Sequence, residues 1–238
     1  MKLDLLAIAA HPDDVELSCG GTLIKMAQMG YRTGILDLTR GEMGTRGTPE
    51  IRQKEATKAA KLMGVRIRES LGLPDARLAV TEEYKLAIAA KIRAWRPNTV
   101  ILPYWEARHP DHYTAGRLGY EGCFMAGLKR LSLTGEPFRP YKIIYSTAYA
   151  TVQPTFAVDI SAQFDRRRKA ILAYSSQFSP PKRERHSKVH LALDELEHEM
   201  HLLVGYYGRM IGVRYAEPFL TREIMAVDDI VKMPVRSI

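Results

Sequence analysis

The sequence predicts an α/β protein with a Rossmann-like three-layer sandwich, a mostly parallel sheet and a functional site at the carboxyl-terminal edge of its strands. Three observations predict it. Short apolar runs alternate with helical segments through the first half of the chain, as in repeated strand–helix units. The first run, Leu3–Ala10, is almost continuously apolar, which is typical of a strand covered on both faces. Motifs rich in histidine and aspartate follow the first and fourth predicted strands, where open α/β sheets bind ligands.

The predicted elements of the first half alternate regularly. In chain order they are strand Leu3–Ala10, helix Val15–Met29, strand Tyr31–Thr39, loop Arg40–Thr48, helix Pro49–Met63, strand Val65–Leu71, a helix from Thr81 to about Trp95, strand Thr99–Pro103 and a helix after His112.

Local signals justify where these helices begin and end. Gly30 and Gly64 follow the first two helices, since glycine ends helices readily. Thr48 and Thr81 are predicted N-caps, and Pro49 occupies the first position of its helix. Right-handed crossovers between the strands would make the sheet Rossmann-like.

The second half is less regular. Lys142–Thr147 and Phe156–Ile160 are predicted strands, Ser161 is predicted to cap a helix over Ala162–Ser176, and a long helix is expected over about Val189–Gly208. No repeat or linker divides the chain, so residues 1–238 are predicted to form a single domain.

Composition favours a cytoplasmic globular protein. The apolar fraction of 46% supports a substantial core, and no run approaches the ~18–20 apolar residues of a membrane span. Met1–Ala10 contains Asp4 and ends at His-Pro-Asp-Asp, so we interpret it as a buried strand and not as a signal peptide. Cys19 and Cys123 predict no disulfide.

The formal charge of +8 is scattered along helical segments, with one cluster at Arg166–Lys169 that we interpret as a solvated helix face. No zinc-finger, helix-turn-helix or RNA-binding motif accompanies it, so we expect no nucleic-acid partner, and no membrane partner either. A few of these arginines could instead bind a small acidic substrate.

Two motifs about a hundred residues apart carry the functional prediction: His11-Pro12-Asp13-Asp14 and His109-Pro110-Asp111-His112. Catalytic zinc sites use nitrogen and oxygen ligands and leave one position for water. His11 and Asp14 supply a close pair of ligands and His112 a remote one. Zn²⁺ is the expected ion, with Fe²⁺ or another divalent ion as the alternative.

The remaining residues of the two motifs supply acid–base groups. Asp13 is left free to act as a base. Asp111 can orient His109 and favour its protonated form. Water activated by the metal ion would then attack a carbonyl group, so the set of groups is typical of a metal-dependent hydrolase.

Other interpretations fit less well. The glycine loop lacks Gly-Lys-Ser/Thr, and no Gly-x-Gly-x-x-Gly follows the first strand, so nucleotide binding is disfavoured. His198 and His201 are three residues apart, not four as in a His-Glu-x-x-His helix, and are predicted to lie on a helix surface. A non-catalytic module with a structural metal would need a fourth protein ligand, for which only Asp13 or His109 is near.

The two motifs, with Ala10 before the first, resemble the signature of zinc-dependent N-acetylglucosamine deacetylases of the LmbE/PIG-L type. Gly41–Arg52, Ser176–Phe178 and Ile211–Phe219 resemble the bacillithiol-biosynthesis (BshB) branch. The likeness covers nearly the whole chain. It implies deacetylation of N-acetylglucosaminyl-malate; inositol or chitobiose acceptors and thiol S-conjugates are the alternatives.

The resemblance also implies individual roles. It matches His11, Asp14 and His112 to zinc ligands, Asp13 to the general base, His109 to the group that stabilises the oxyanion and protonates the amine, and Asp111 to the partner of His109.

The resemblance further matches Arg52 to a substrate-contacting arginine, with Arg108 as the next candidate for reading an acidic substrate. Related mycothiol enzymes have a tyrosine at the position of Ala107, so that oxyanion partner is absent here. The resemblance suggests a homo-oligomer, specifically a hexamer.

Overall fold

A computed structural model describes residues 1–147, 150–178 and 193–235. Within them, seven strands form one sheet in the order β3-β2-β1-β4-β5-β7-β6. The strands are β1 Leu5–Ala9, β2 Thr33–Thr39, β3 Ile67–Leu73, β4 Thr99–Pro103, β5 Lys142–Ser146, β6 Phe156–Asp159 and β7 Ala216–Leu220.

Eight helices flank this sheet in the described residues. They are α1 Asp14–Ser18, α2 Gly20–Gln28, α3 Pro49–Met63, α4 Glu82–Trp95, α5 Pro110–Ala126, α6 Phe164–Ile171, α7 Ser175–Phe178 and α8 Leu193–Met210. None of them is both long enough and apolar enough to cross a bilayer.

The core consists of two apolar layers on opposite faces of the sheet. Leu6 and Ile8 of β1 pack into the layer beneath α4 and α5, whereas Leu5 and Ala7 pack into the layer that contains residues of α2, α3 and α6. This alternation follows from the two-residue period of a strand. Each fully buried leucine contributes about 1.5–3 kcal/mol relative to an exposed one.

The mostly parallel sheet confirms the predicted fold class. β3, β2, β1, β4 and β5 pair in parallel, and β7 pairs antiparallel with both β5 and β6. β7 was not predicted, because Glu217 and Pro218 are residue types that strands rarely contain.

The helix predicted over Val15–Met29 is two helices that meet at Cys19. A buried ion pair between Arg167 and Glu217 fastens the junction. Arg167 donates to the carbonyls of Glu16 and Leu17 at the end of α1.

The carboxylate of Glu217 accepts hydrogen bonds from the backbone N–H groups of Gly21 and Thr22 at the start of α2. Arg167 is 3% exposed, so the prediction of a solvated face for Arg166–Lys169 is wrong at this residue.

Two other helix predictions need correction. The helix predicted over Ala162–Ser176 is interrupted between α6 and α7, and its N-cap is Gln163. The hydroxyl of Ser161 instead donates to Asp159. The last helix extends to Met210, and the predicted start at Val189 lies outside the described residues.

Candidate metal-dependent active site

A cavity of about 390 Å³ opens at the carboxyl-terminal edge of the parallel strands. Residues from both sequence motifs line it, together with parts of the loops that follow β2, β3, β4 and β5. Its lining includes three histidines and three aspartates: His11, His109, His112, Asp13, Asp14 and Asp75. The convergence arises because parallel strands end at the same edge of a sheet.

The first motif turns the chain from β1 into α1. His11 follows the strand, and Asp14 is the first residue of the helix. Asp13 between them has a φ of 105°, a left-handed conformation that costs a non-glycine residue about 1–3 kcal/mol. This turn brings His11 Nδ1 to 3.4 Å from a carboxylate oxygen of Asp14.

The second motif brings in the remote ligand. α5 begins at Pro110, earlier than predicted, so His112 lies in its first turn. His112 Nε2 is 3.2 Å from the other carboxylate oxygen of Asp14. One ligand atom each from His11, Asp14 and His112 lies within 4.8 Å of the other two. Two imidazoles and a carboxylate at these distances form a donor set suited to a divalent metal ion.

The charges of these groups are strongly coupled. Burial disfavours the ionised form of Asp14, but His112 and His11 hold the pKa of its carboxyl group well below the usual value. Burial opposes the protonation of His11, yet hydrogen bonds to Asp111, Asp14 and Asp75 raise its pKa to about 12. The surrounding carboxylates therefore favour positive charge at this point, and a metal cation would satisfy them in place of the proton.

Asp75 is a site residue that the sequence analysis missed. Its Oδ1 lies 2.9 Å from His11 Nε2, and its Oδ2 accepts a hydrogen bond from the backbone N–H of Met43. Ligating histidines commonly bond a carboxylate through the second ring nitrogen, which fixes the ring. The available signal was Pro74-Asp75, an acidic turn just after β3 at the same sheet edge.

Asp13 lies beside the three candidate ligands and faces Arg52. Burial raises the pKa of Asp13 to about 7, against the opposing charge of Arg52. An Nη2 to Oδ2 distance of 3.1 Å joins the two side chains. A carboxyl group that titrates near neutral pH suits a general base.

Arg52 lines the cavity, but its side chain is only 6% exposed and its Nη groups donate within the protein. Nη2 donates to Asp13 and to the carbonyl of Pro12, and Nη1 donates to the carbonyl of Gly41. These contacts favour a role in orienting Asp13 over the predicted contact with a substrate carboxylate.

His109 is the N-cap of α5, and its Nδ1 accepts a hydrogen bond of 3.2 Å from the backbone N–H of Asp111. This bond assigns the hydrogen of the neutral ring to Nε2. Its ring stacks on His112 with centroids 5.0 Å apart and meets His11 edge-on at 4.9 Å. Burial and the charges of His11 and His112 lower the pKa of His109 below its usual value.

The carboxylate of Asp111 orients His11 and not His109, contrary to the prediction. It accepts hydrogen bonds from the backbone N–H groups of Ala76 and Leu78 and lies 3.4 Å from His11 Nε2. The charge of Asp111 raises the pKa of His109, but burial and the charges of His11 and His112 lower it by more. The expected protonated form of His109 is therefore not favoured. The cause is the early start of α5, which places the backbone N–H of Asp111 against the His109 ring.

Arg108, the second predicted substrate-binding residue, lies at the cavity. It is exposed in the loop between β4 and α5, lines the cavity and follows Glu106 and Ala107, which line it too. Tyr104 in the same loop also lines the cavity. The cavity therefore contains a tyrosine, although the position at which the mycothiol enzymes have theirs is Ala107 here.

The histidines of α8 are not part of this site. His198 and His201 are exposed, as predicted, and Nδ1 of His201 lies 2.9 Å from the hydroxyl of Tyr215. In the described residues, both groups of side chains able to hold a metal ion contain His11.

Comparisons with known proteins agree with this chemistry. The family described as GlcNAc-PI de-N-acetylase (PIG-L) matches residues 6–123. The diacetylchitobiose deacetylase of Thermococcus kodakarensis is 32% identical over 225 residues, which cover 90% of this chain and 80% of that protein. A probable N-acetyl-alpha-D-glucosaminyl L-malate deacetylase 2 of Bacillus cereus is 28% identical and covers 79% and 90%.

Among solved structures, a conserved protein from Thermus thermophilus superposes with a TM-score of 0.86. It is 42% identical in sequence, and the match covers 95% of this chain and 98% of that one. The similarity therefore extends over both halves of the sheet and includes the regions that carry the two motifs.

Proposed function

This chain belongs to the PIG-L family of de-N-acetylases and is an amide-hydrolysing enzyme, and on that premise we propose that it is a zinc-dependent deacetylase of an N-acetylglucosaminide. The observation that carries the proposal is the convergence of His11, Asp14 and His112 beside a fourth group, Asp13, whose pKa is raised. A purely structural metal site would use a fourth protein ligand, whereas here the nearby carboxylate is paired with Arg52.

When bound by His11, Asp14 and His112, a zinc ion would lower the pKa of a water molecule and polarise the acetamide carbonyl. Asp13 accepts a proton from the attacking water. His109 donates its Nε2–H to the carbonyl oxygen as that oxygen becomes negative.

The departing nitrogen needs a proton when the carbon–nitrogen bond breaks. His109 is favoured in its neutral form, so Asp13 is the better source, because it holds the proton taken from water. The balance is then one water consumed, with one acetate and one protonated amine released. Arg52 holds the Asp13 carboxylate in place for both transfers.

For the acceptor half of the substrate we propose L-malate. The Bacillus cereus relative and the resemblance of Gly41–Arg52 support it. Since Arg52 is bonded to Asp13, we assign recognition of the malate carboxylates to Arg108, which is exposed and lines the cavity.

Diacetylchitobiose is a second candidate substrate. The Thermococcus kodakarensis relative supports it by its higher identity over more of this chain. Glu106 also favours it, because a carboxylate at the cavity accepts hydrogen bonds from sugar hydroxyls and repels an acidic acceptor.

The test is acetate release from purified protein that has been stripped with a chelator and reloaded with zinc. N-acetylglucosaminyl-malate, diacetylchitobiose, N-acetylglucosaminyl-inositol and free N-acetylglucosamine are compared. We expect zinc-dependent release, fastest for the malate conjugate. Fastest release from diacetylchitobiose would contradict L-malate as the acceptor half and favour the second candidate substrate. No release from any substrate by zinc-loaded protein would contradict the proposed function.

We also propose that the protein works in the cytoplasm as a homo-oligomer, a hexamer by the resemblance. Both cysteines are buried and free, which suits a reducing compartment. A run of exposed apolar side chains after β7 supports contact with a second copy: Ile224, Met225, Val227, Ile230, Val231, Met233 and Val235. Sedimentation of the whole chain and of a chain that ends at Thr221 tests the contact.

A further inference from the structure

One wall of the cavity is built from two segments that are far apart in the sequence. The glycine loop, residues 41–47, contributes Met43, Gly44 and Thr45, and the short helix α7 contributes Gln177 and Phe178. Neither segment belongs to the sheet, so contacts between them and their neighbours must hold the wall in place.

Glu55 of α3 fastens α7. The side chain is buried, with the residue 7% exposed, and its carboxylate accepts three hydrogen bonds. They come from the Ser175 hydroxyl at 3.1 Å, the Ser176 backbone N–H at 2.7 Å and the Ser176 hydroxyl at 2.7 Å. Hydrogen bonds to an ionised acceptor are roughly twice as strong as neutral ones, so this is a firm attachment.

Gln177 fastens the glycine loop to α7 by a reciprocal pair of bonds. Its Nε2 donates to the carbonyl of Arg46 at 2.8 Å, and Arg46 Nη1 donates to the carbonyl of Gln177 at 2.9 Å. Next to this pair, Gly47 has a φ of 73°, and a Cβ there would lie 2.8 Å from the Ser176 hydroxyl. The close approach therefore requires glycine.

The first residue of the glycine loop, Gly41, is held by α3, the helix that also carries Glu55. Arg52, one turn before Glu55, donates to the carbonyl of Gly41, whose φ is 68°. Between the two attachments, the backbone N–H of Met43 donates to Asp75, which bonds His11. The loop is thus held at one end by Arg52 of α3 and at the other by α7, which Glu55 of α3 fastens in turn. Its middle is bonded to Asp75, the partner of the candidate ligand His11.

We infer that Glu55 and Gln177 form a latch that positions the glycine loop against the metal site, and that both are positioning residues for substrate binding. The inference rests on the proposed deacetylase function. Neither side chain needs to touch the reacting atoms: Glu55 holds α7, and Gln177 holds the loop to α7. Loosening the latch should weaken substrate binding more than the chemical step.

The first variant is Gln177→Met, which keeps the length of the side chain and removes its amide. The matched control is Gln163→Met. Gln163 is also buried and donates one side-chain hydrogen bond, to Gln28, but it does not line the cavity. Gln177→Met loses the Nε2 bonds to the carbonyl of Arg46 and to the hydroxyl of Ser176, and Gln163→Met loses the one bond to Gln28. Both variants should fold, because each change removes one amide group and keeps the volume of the side chain.

Two readouts separate a latch from a general structural role. Hydrogen exchange of a peptide covering residues 41–47 should accelerate roughly tenfold in Gln177→Met, because the buried carbonyl of Arg46 loses its donor, and should not change in Gln163→Met. With the substrate of the acetate assay, KM should rise about five- to tenfold in Gln177→Met while kcat changes less than about twofold.

A second variant, Glu55→Gln, keeps the side-chain volume and removes the charge. It should accelerate exchange of the loop in the same direction, without loss of bound zinc. Faster exchange in protein that releases no acetate would support the latch and contradict the deacetylase. Active protein in which Gln177→Met matches Gln163→Met in loop exchange and KM would overturn the latch.

Discussion

Two groups of buried charged side chains lie close together. One is the candidate metal site at the carboxyl-terminal edge of the sheet, and the other lies deeper in the protein and has a different arrangement. In the deeper group, Arg68 of β3 donates two bonds to Asp37 and a third to Glu16, which also accepts from the Tyr174 hydroxyl. The side chains of Arg68, Asp37 and Glu16 are at most 4% exposed. Protein groups surround them on all sides.

The metal-site group is more open. The side chains of Asp14 and His112 remain 16% and 19% exposed. Asp14 lies between the imidazoles of His11 and His112, and all three residues line the cavity. In the deeper group, burial opposes the charge of Arg68, but Asp37 and Glu16 raise the pKa of the guanidinium well above its usual value. In the metal-site group, the pKa of Asp13 is raised instead.

The difference shows what each group can do. A buried cation paired with its own carboxylates fixes the packing of α1 against β2 and β3, and the side chains of the group are almost entirely closed to solvent. A group that combines converging donors with a carboxyl group of perturbed pKa can bind a metal ion and exchange protons. The same residue types therefore stabilise in one place and react in the other.

The largest expected effect is the loss of the remote ligand. His112→Ala should abolish turnover and lower the zinc content, while the midpoint of thermal unfolding of the metal-free protein changes little, because His112 is partly exposed. Metal analysis and acetate release measure this. His198→Ala, a change at an exposed histidine of α8, is the control and should behave as the unchanged protein. Full zinc retention by a His11→Ala/His112→Ala variant would refute the ligand assignment.

The next effect concerns the base. Asp13→Asn should keep the zinc but lower kcat by roughly 10²–10⁴-fold, the usual contribution of a positioned base. Parallel measurements of zinc content and acetate release test it, with Asp4→Asn as a control far from the cavity. A wild-type rate in zinc-loaded Asp13→Asn would show that the reaction needs no protein base.

The deeper group should respond in stability. Arg68→Met leaves Asp37 and Glu16 buried without their cation and should lower the free energy of unfolding by about 3–5 kcal/mol. Lys91→Met breaks a partly exposed pair with Glu69 and should cost about 0–1 kcal/mol. Chemical denaturation compares the two. Equal losses would mean that burial does not distinguish these pairs.

The smallest effect tests the link between the metal site and its support. Asp75→Asn keeps the shape of the side chain but weakens the bond that orients His11, so zinc affinity should fall about 10- to 100-fold. Competition with a chromogenic chelator measures it. An unchanged zinc affinity would mean that Asp75 does not support the metal site and only holds the glycine loop, through its bond with Met43.

Much of the candidate site could be predicted from the sequence because its candidate ligands lie in two short motifs. A strand followed by His-Pro-Asp-Asp places His11 and Asp14 at a sheet edge whatever the details of packing, and the second motif does the same for His112. The alternation of strands and helices likewise predicted the parallel part of the sheet, since its period is a property of neighbouring residues.

Contacts between distant segments could not be predicted in this way. Asp75 is 64 residues from His11, and Arg52 is 39 residues from Asp13; no local pattern joins either pair. The break between α1 and α2 depends on Arg167 and Glu217, which come from the other half of the chain.

Local sequence patterns were enough to predict the order of the parallel strand–helix units along the chain and the polar side chains that follow each strand. The partner of each of these side chains, whether a nitrogen, a carboxylate or a backbone N–H group, depends on the folded chain. Hydrophobic periodicity and turn residues act over a few residues, whereas hydrogen bonds and ion pairs form only after packing has brought remote segments within about 3 Å. Asp111 illustrates it: its position in the second motif was plain in the sequence, but the fold turned its carboxylate to His11 and its backbone N–H to His109.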